Sequence, residues 1–303
     1  MNPPLLGLCL AEWRKAKGRG LAYAVLLFAA AHGVLAALVL KGLDALQQKA
    51  LASGALPSPA LGPGAGPQDP FDLLVAGEAA LHMAVFPVNG FALLLLAAMV
   101  WAEDFSLGTL AMLFVRPVSR GRVFLAKSIV LLAAAAMSIG IALCTALTLG
   151  AILSGFSAEL EQLQTMPLVG WMASEPSMGA RAARLISGWL AGTLLMAPAL
   201  GLAALVAALT RSPVLTLFGT LLLLVGDFFV FLALSAWGKT SLESAELAGF
   251  WAGWTLWGSR SFFPLHGPAT IVSQGLGSLC ITLAYSILFF GLALWLFVRR
   301  DVT

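Results

Sequence analysis

Residues 103–127 read EDFSLGTLAMLFVRPVSRGRVFLAK. Two acids open the stretch, and Arg116, Arg120, Arg122 and Lys127 supply its cations. An apolar run lies on each side of it, 79–102 before and 123–153 after. A bilayer hydrocarbon core of about 30 Å takes roughly 20 apolar residues at 1.5 Å each. Both runs reach that length. The stretch is therefore expected to be a polar connection between two membrane spans, and this reading sets the class of the whole chain.

Composition agrees. Of 303 residues, 60% are AVILMFWYC and 10% are DEKR, whereas soluble domains carry about 25% charged residues. The expected fold is an all-α membrane protein with six transmembrane helices, at 21–40, 79–102, 123–153, 185–209, 214–236 and 271–298. Pro87, Asn89 and Gly90 predict a kink in the second span. The Gly- and Ala-rich fourth span suits close helix contact. TRSP at 210–213 is a tight turn whose proline fits the first turn of the fifth span. Residues 41–78, 155–184 and 237–270 are long connections, the first centred on SGALPSPALGPGAGPQDP and loop-like by its Gly and Pro content. ALQQKAL, at 45–51, is able to extend the first span as helix.

Before the first span, 1–20 predicts an interfacial helix. Leu6, Cys9, Leu10, Trp13 and Lys17 recur at helical spacing, with Trp13 at headgroup depth and the cations towards anionic lipid. Its cations follow the apolar residues instead of preceding them, the reverse of a cleavable signal.

Six spans put both termini on one side. The segments on that side, 1–20, 103–127, 210–213 and the C-terminus, hold eleven of the 17 lysines and arginines, and the three long connections hold six. Lysine and arginine bias sets orientation, so both termini and 103–122 are expected in the cytoplasm, with the chain multi-pass in the cell's inner (plasma) membrane. The long connections then share the extracytoplasmic face. Phe250, Trp251, Trp254 and Trp257, with Leu247, recur at helical spacing in the third of them and fit an aromatic belt or a re-entrant hairpin.

Candidate chemistry is sparse. Asp227 is the one acid well inside an apolar run, LLLLVGDFFVFLAL. A charge at a span centre costs about 2.5–3.5 kcal/mol on insertion scales, which makes Asp227 a candidate intramembrane polar site, with a structural hydrogen bond as the other reading. Cys9, Cys144 and Cys280 have no metal or redox spacing and read as small buried hydrophobes. His32, His82 and His266 show no HExxH or paired pattern and read as satisfied histidines. The chain has no GxxxxGK[ST] phosphate loop and no GxSxG elbow. It is thus expected not to be an enzyme, and to bind no metal or cofactor itself.

Glu103, then Gly108–Thr109, then Arg116-Pro117-Val118-Ser119-Arg120, then Lys127, resembles the signature of ABC-2 type transporter permeases. That family has an acid closing the second span, a G-T helix, an R-P-[VI]-S-R turn and a lysine early in the third span. The resemblance extends to the layout: an N-terminal elbow helix, six spans, and a cytoplasmic coupling helix between spans 2 and 3. One departure is the length of the first two outer connections. The resemblance implies the permease subunit of an ATP-driven ABC transporter, an exporter. ATP and Mg would be bound by a separate ATPase subunit. A second permease copy, identical or related, would complete the unit in the bilayer, and the outer loops admit an extracytoplasmic partner protein. No nucleic acid is expected. The coupling residues implied are Glu103, Asp104, Gly108, Thr109, Arg116, Pro117, Ser119, Arg120 and Lys127.

The residues of the stretch suit that role. Residues 104–115 have the apolar content of a short helix lying on the membrane. Pro117 disfavours helical geometry at Arg116, and Ser119 is placed to cap the next helix through its side-chain oxygen. Glu103 and Asp104 have Arg116, Arg120 and Lys127 as candidate partners. Two other classes remain: an ion-coupled secondary carrier using Asp227, and an intramembrane hydrolase. Neither accounts for the ordered match from Glu103 to Lys127.

Overall fold

The computed structural model describes residues 5–18, 20–53, 76–77, 80–81, 88–106, 119–154, 178–237 and 276–299. Among them are seven long helices and no strand: α1 (Leu5–Gly18), α2 (Leu21–Ala52), α3 (Val88–Ser106), α4 (Arg120–Ser154), α5 (Met178–Thr210), α6 (Pro213–Trp237) and α7 (Leu276–Arg299). Five are long and apolar enough to cross a membrane, through Leu21–Gly42, Arg120–Leu153, Leu185–Thr210, Pro213–Leu234 and Leu279–Arg299. The second expected span, 79–102, is represented by α3, whose apolar part, Asn89–Ala102, is shorter. Pro87, the expected kink, and the outer aromatic cluster at 247–257 lie outside the described residues.

α3 and α5 form the centre. Leu93, Leu94, Leu96, Ala97, Ala98, Trp101 and Ala102 bury α3 on nearly every side. A helix apolar all round belongs in the interior of a bundle. α5 packs against α3, α4, α6 and α7, and alanines let neighbours approach: Ala199, Ala203, Ala204, Ala207 and Ala208 are all buried. At Gly201 an added Cβ would stand 3.1 Å from Phe289 and from Phe290. The second close crossing joins α2 to α4, where a Cβ on Gly33 would overlap the Ala142 carbonyl and Thr145 Oγ1. α6 is the least covered span, with Phe218, Leu222 and Phe229 all facing outwards.

Polar groups inside the bundle are mostly turned on their own helices. Thr145, Thr193, Thr220 and Ser286 donate to carbonyls four residues earlier. Others cross between helices. Ser138 Oγ donates to Asn89 Oδ1 at 2.6 Å, and Trp189 Nε1 donates to the Ala136 carbonyl at 2.8 Å. Asn89, expected beside a kink, thus anchors the first turn of α3 to α4.

Two expectations about single residues change. Cys144 and Cys280 are exposed on the outer faces of their spans and Cys9 is half-buried, because a thiol is apolar enough for a lipid-facing surface. His32 is buried, but neither ring nitrogen meets hydrogen-bond geometry, although the Ala80 backbone lies beside the ring.

The turn at 210–213 folds as its residues dictate. Arg211 takes φ 56°, and its N–H closes α5 on the Ala207 carbonyl at 2.9 Å. Ser212 Oγ accepts from the Leu215 N–H at 3.5 Å, an N-cap geometry, and Pro213 opens α6.

Candidate coupling site

The stretch from 103 to 127 begins in α3 and ends in α4. Glu103 and Asp104 occupy the last turn of α3. Gly108, Thr109, Arg116 and Pro117 lie outside the described residues. Ser119 stands at the N-cap of α4, and its carbonyl accepts from the N–H of Arg122 at 3.0 Å and of Val123 at 3.3 Å. The bonding is through the carbonyl, and the expected side-chain cap is not seen.

Lys127 lies in the second turn of α4, and its side chain is the charged centre of this end of the bundle. It is 1% exposed. Its ammonium donates to the Val100 carbonyl of α3 at 2.7 Å and to Glu12 Oε2 of α1 at 3.1 Å. The other oxygen of Glu12, Oε1, accepts from Lys15 at 2.9 Å. Glu12 is itself 8% exposed. A lysine has three donors and no acceptor, so one buried ammonium here ties three helices together. Cys9 Sγ, 4.0 Å from the Ala126 carbonyl, adds a weak contact along the same seam.

Arg120, at the start of α4, donates through Nη1 to the Val298 carbonyl of α7 at 3.0 Å. A cation at a helix C-terminus satisfies an orphan carbonyl and faces the negative end of the helix dipole. Arg299 sits over the Trp295 ring, 4.7 Å from its centroid.

An aromatic layer lies under these polar contacts. Phe124 is its hub: ring centroids stand 4.6 Å from Trp101 of α3, 5.8 Å from Phe297 and 6.3 Å from Phe290 of α7. Such pairs add about 0.5–1.5 kcal/mol each beyond area burial. The start of α4 is thus held to α1, α3 and α7 by charge above and rings below. The effect is mechanical, because both ends of the 107–118 connection are fixed into one block.

Of the residues picked from the sequence, the structure brings Lys127 and Arg120 to this end of the bundle, with Ser119 beside them and Glu103 and Asp104 on the helix that Lys127 bonds. Asp227 is elsewhere, half-buried on α6 and roughly 20 Å along that helix from Pro213, where it interacts electrostatically with Tyr285 of α7. Sequence reasoning missed Glu12. The residues that turned inwards on α1 are Glu12 and Ala16, while Leu6, at 71%, and Leu10 are exposed. The available signal was the series Leu5, Cys9, Glu12, Ala16, a helical stripe in which a lone acid replaces an apolar residue.

No curated protein and no solved structure matches this chain. A family model described as ABC-2 family transporter protein matches residues 8–226, a span that contains Glu12, Val100 and the whole of 103–127. That match takes in most of the sequence and all or part of six of its seven described helices, and by it the chain belongs to the ABC-2 family of transporter proteins.

Proposed function

We propose that this chain is the transmembrane permease subunit of an ATP-driven ABC transporter, working as an exporter, with 103–122 as its cytoplasmic coupling segment. The observation that carries the reading is the buried block at Lys127, which fixes the flanks of that segment to α1, α3 and α4. A permease without a phosphate loop receives work from a separate ATPase subunit. A lever serves only if its ends are rigidly seated, and the polar and aromatic layers support such a seat.

In this reading ATP and Mg bind the partner ATPase. Closure of that subunit pushes on 103–122 and on α1, the elbow, and both termini are cytoplasmic in the inner membrane. A second permease copy faces this one. The exposed stripe Leu215, Phe218, Leu222, Val225, Phe229 and Leu232 repeats at alternating spacings of three and four, as a helix–helix seam does, which supports α6 as part of that contact. Substrate passes between the two copies, and the burial of α3 favours α2 and α6 for that lining. The long outer connections remain the place for an extracytoplasmic partner.

The test is purification of the native complex. A P-loop ATPase is expected to accompany the chain, and Glu103→Ala or Arg116→Ala is expected to uncouple ATP hydrolysis from conformational change. Absence of the ATPase, with coupling intact in both variants, would overturn the reading.

A further inference from the structure

The contacts of α1 are asymmetric. Towards α4 it has a buried ion pair, Glu12 to Lys127, and the Cys9 contact to Ala126. Towards α2, its neighbour in sequence, it has the turn at Gly20 and Lys17 Nζ over the exposed Tyr23 ring, 5.7 Å from its centroid. Gly20 holds φ 73°, and neither it nor Gly18 has any atom within 4 Å of where a Cβ would be. A positive φ is the conformation glycine adopts at no steric cost, and the surrounding space is open. Separating α1 from α4 would strand a charge inside the protein, whereas pivoting at Gly18–Gly20 breaks no packed contact at those glycines.

From this asymmetry we infer that Glu12 is a positioning residue: it fastens the elbow helix to the α3–α4 block, so that α1 travels with the coupling segment and swivels against α2 at Gly18–Gly20. The inference rests on the proposed function for the force that drives the motion. It adds to that reading a rigid link between the two elements that are pushed, 103–122 and α1, through Lys127 and Glu12, so that they move as one body. Lys15, the other partner of Glu12, stands three residues away on the same helix and holds the carboxylate in place from within α1.

The experiment uses the full chain with its ATPase in lipid nanodiscs. Spin labels are introduced through an unnatural amino acid at Leu10 on α1, Leu125 on α4 and Leu27 on α2, all exposed, and distances are read in the nucleotide-free and ATP-trapped states. The 10–125 distance is expected to stay constant between states while the 10–27 distance shifts. A shift in 10–125, or a constant 10–27, overturns the inference. In nucleotide-free protein, Glu12→Gln, which keeps the side-chain shape and removes the charge, is expected to broaden the 10–125 distribution. A Glu12→Gln distribution as narrow as that of the parent protein overturns the anchoring. If no ATPase accompanies the chain, the functional reading fails by itself, and the nucleotide-free comparison still decides the anchor.

Discussion

The ammonium of Lys127 lies 3.1 Å from Oε2 of Glu12, 115 residues away in the chain, and both side chains are almost wholly enclosed. Removing one partner of a buried pair costs about 3–5 kcal/mol, because the other charge is left uncompensated, whereas replacing both can be close to neutral. Lys127→Met is therefore expected to lower the melting temperature in detergent more than Lys127→Met combined with Glu12→Gln. A double-mutant cycle on thermal unfolding checks this; additive losses would mean that the two groups do not share one energy term.

Gly33 and Gly42 lie on the same helix and should answer oppositely to alanine. At Gly33 the added methyl meets the Ala142 carbonyl and Thr145, and forcing the crossing apart costs about 1–3 kcal/mol. At Gly42 nothing lies within 4 Å, so alanine gains helix propensity of up to about 1 kcal/mol. Thermal stability of the two variants, measured side by side, should move in opposite directions.

The bond from Ser138 to Asn89 Oδ1 joins α3 to α4 through buried side chains in the span interior. Interhelical hydrogen bonds in membrane proteins average about 0.6 kcal/mol, with a maximum of about 1.7. Because Asn89 Nδ2 already lacks a partner, Ser138→Ala leaves the whole buried amide unsatisfied and should fall near the upper figure. Ser138→Ala in an Asn89→Ala background should then cost little, as unfolding in denaturant would reveal.

If α6 faces a second copy, Leu222→Cys in a chain lacking its three native cysteines should form a disulfide-linked dimer under mild oxidation. Leu190→Cys, exposed on α5, should stay monomeric. Gel mobility without reductant reads both results; equal cross-linking would remove the argument for α6.

Much of the bundle could be read from local pattern. Long apolar runs mark five spans because each must satisfy its backbone within itself, and the Ser212–Pro213 turn is set by neighbours in sequence. The extension of α2 to Ala52 follows from ALQQKAL, which has no helix breaker. The site was legible only in part. Lys127 was reachable through its place in an ordered motif. Glu12 was not, since its burial depends on a lysine that no periodicity of α1 contains. The apolar spacing of Leu6 and Leu10, both exposed, suits an interfacial helix but does not tell which other face of α1 turns to the bundle. The same holds for Cys144 and Cys280, whose apolar neighbours give no sign of whether lipid or protein covers them.

The long sequence separation of the contacts at Lys127 and Arg120 bears on how the chain is assembled. During synthesis, α1 and α2 emerge long before α4, so Glu12 has no buried partner until the third span has entered the membrane. The link from Arg120 to the Val298 carbonyl, 178 residues apart, forms only when α7 is complete. The end of the bundle at Lys127 and Arg120 is thus the last to close. A nascent chain stalled before residue 120 would hold an elbow helix whose Glu12 has Lys15 of its own helix but not yet the ammonium of α4.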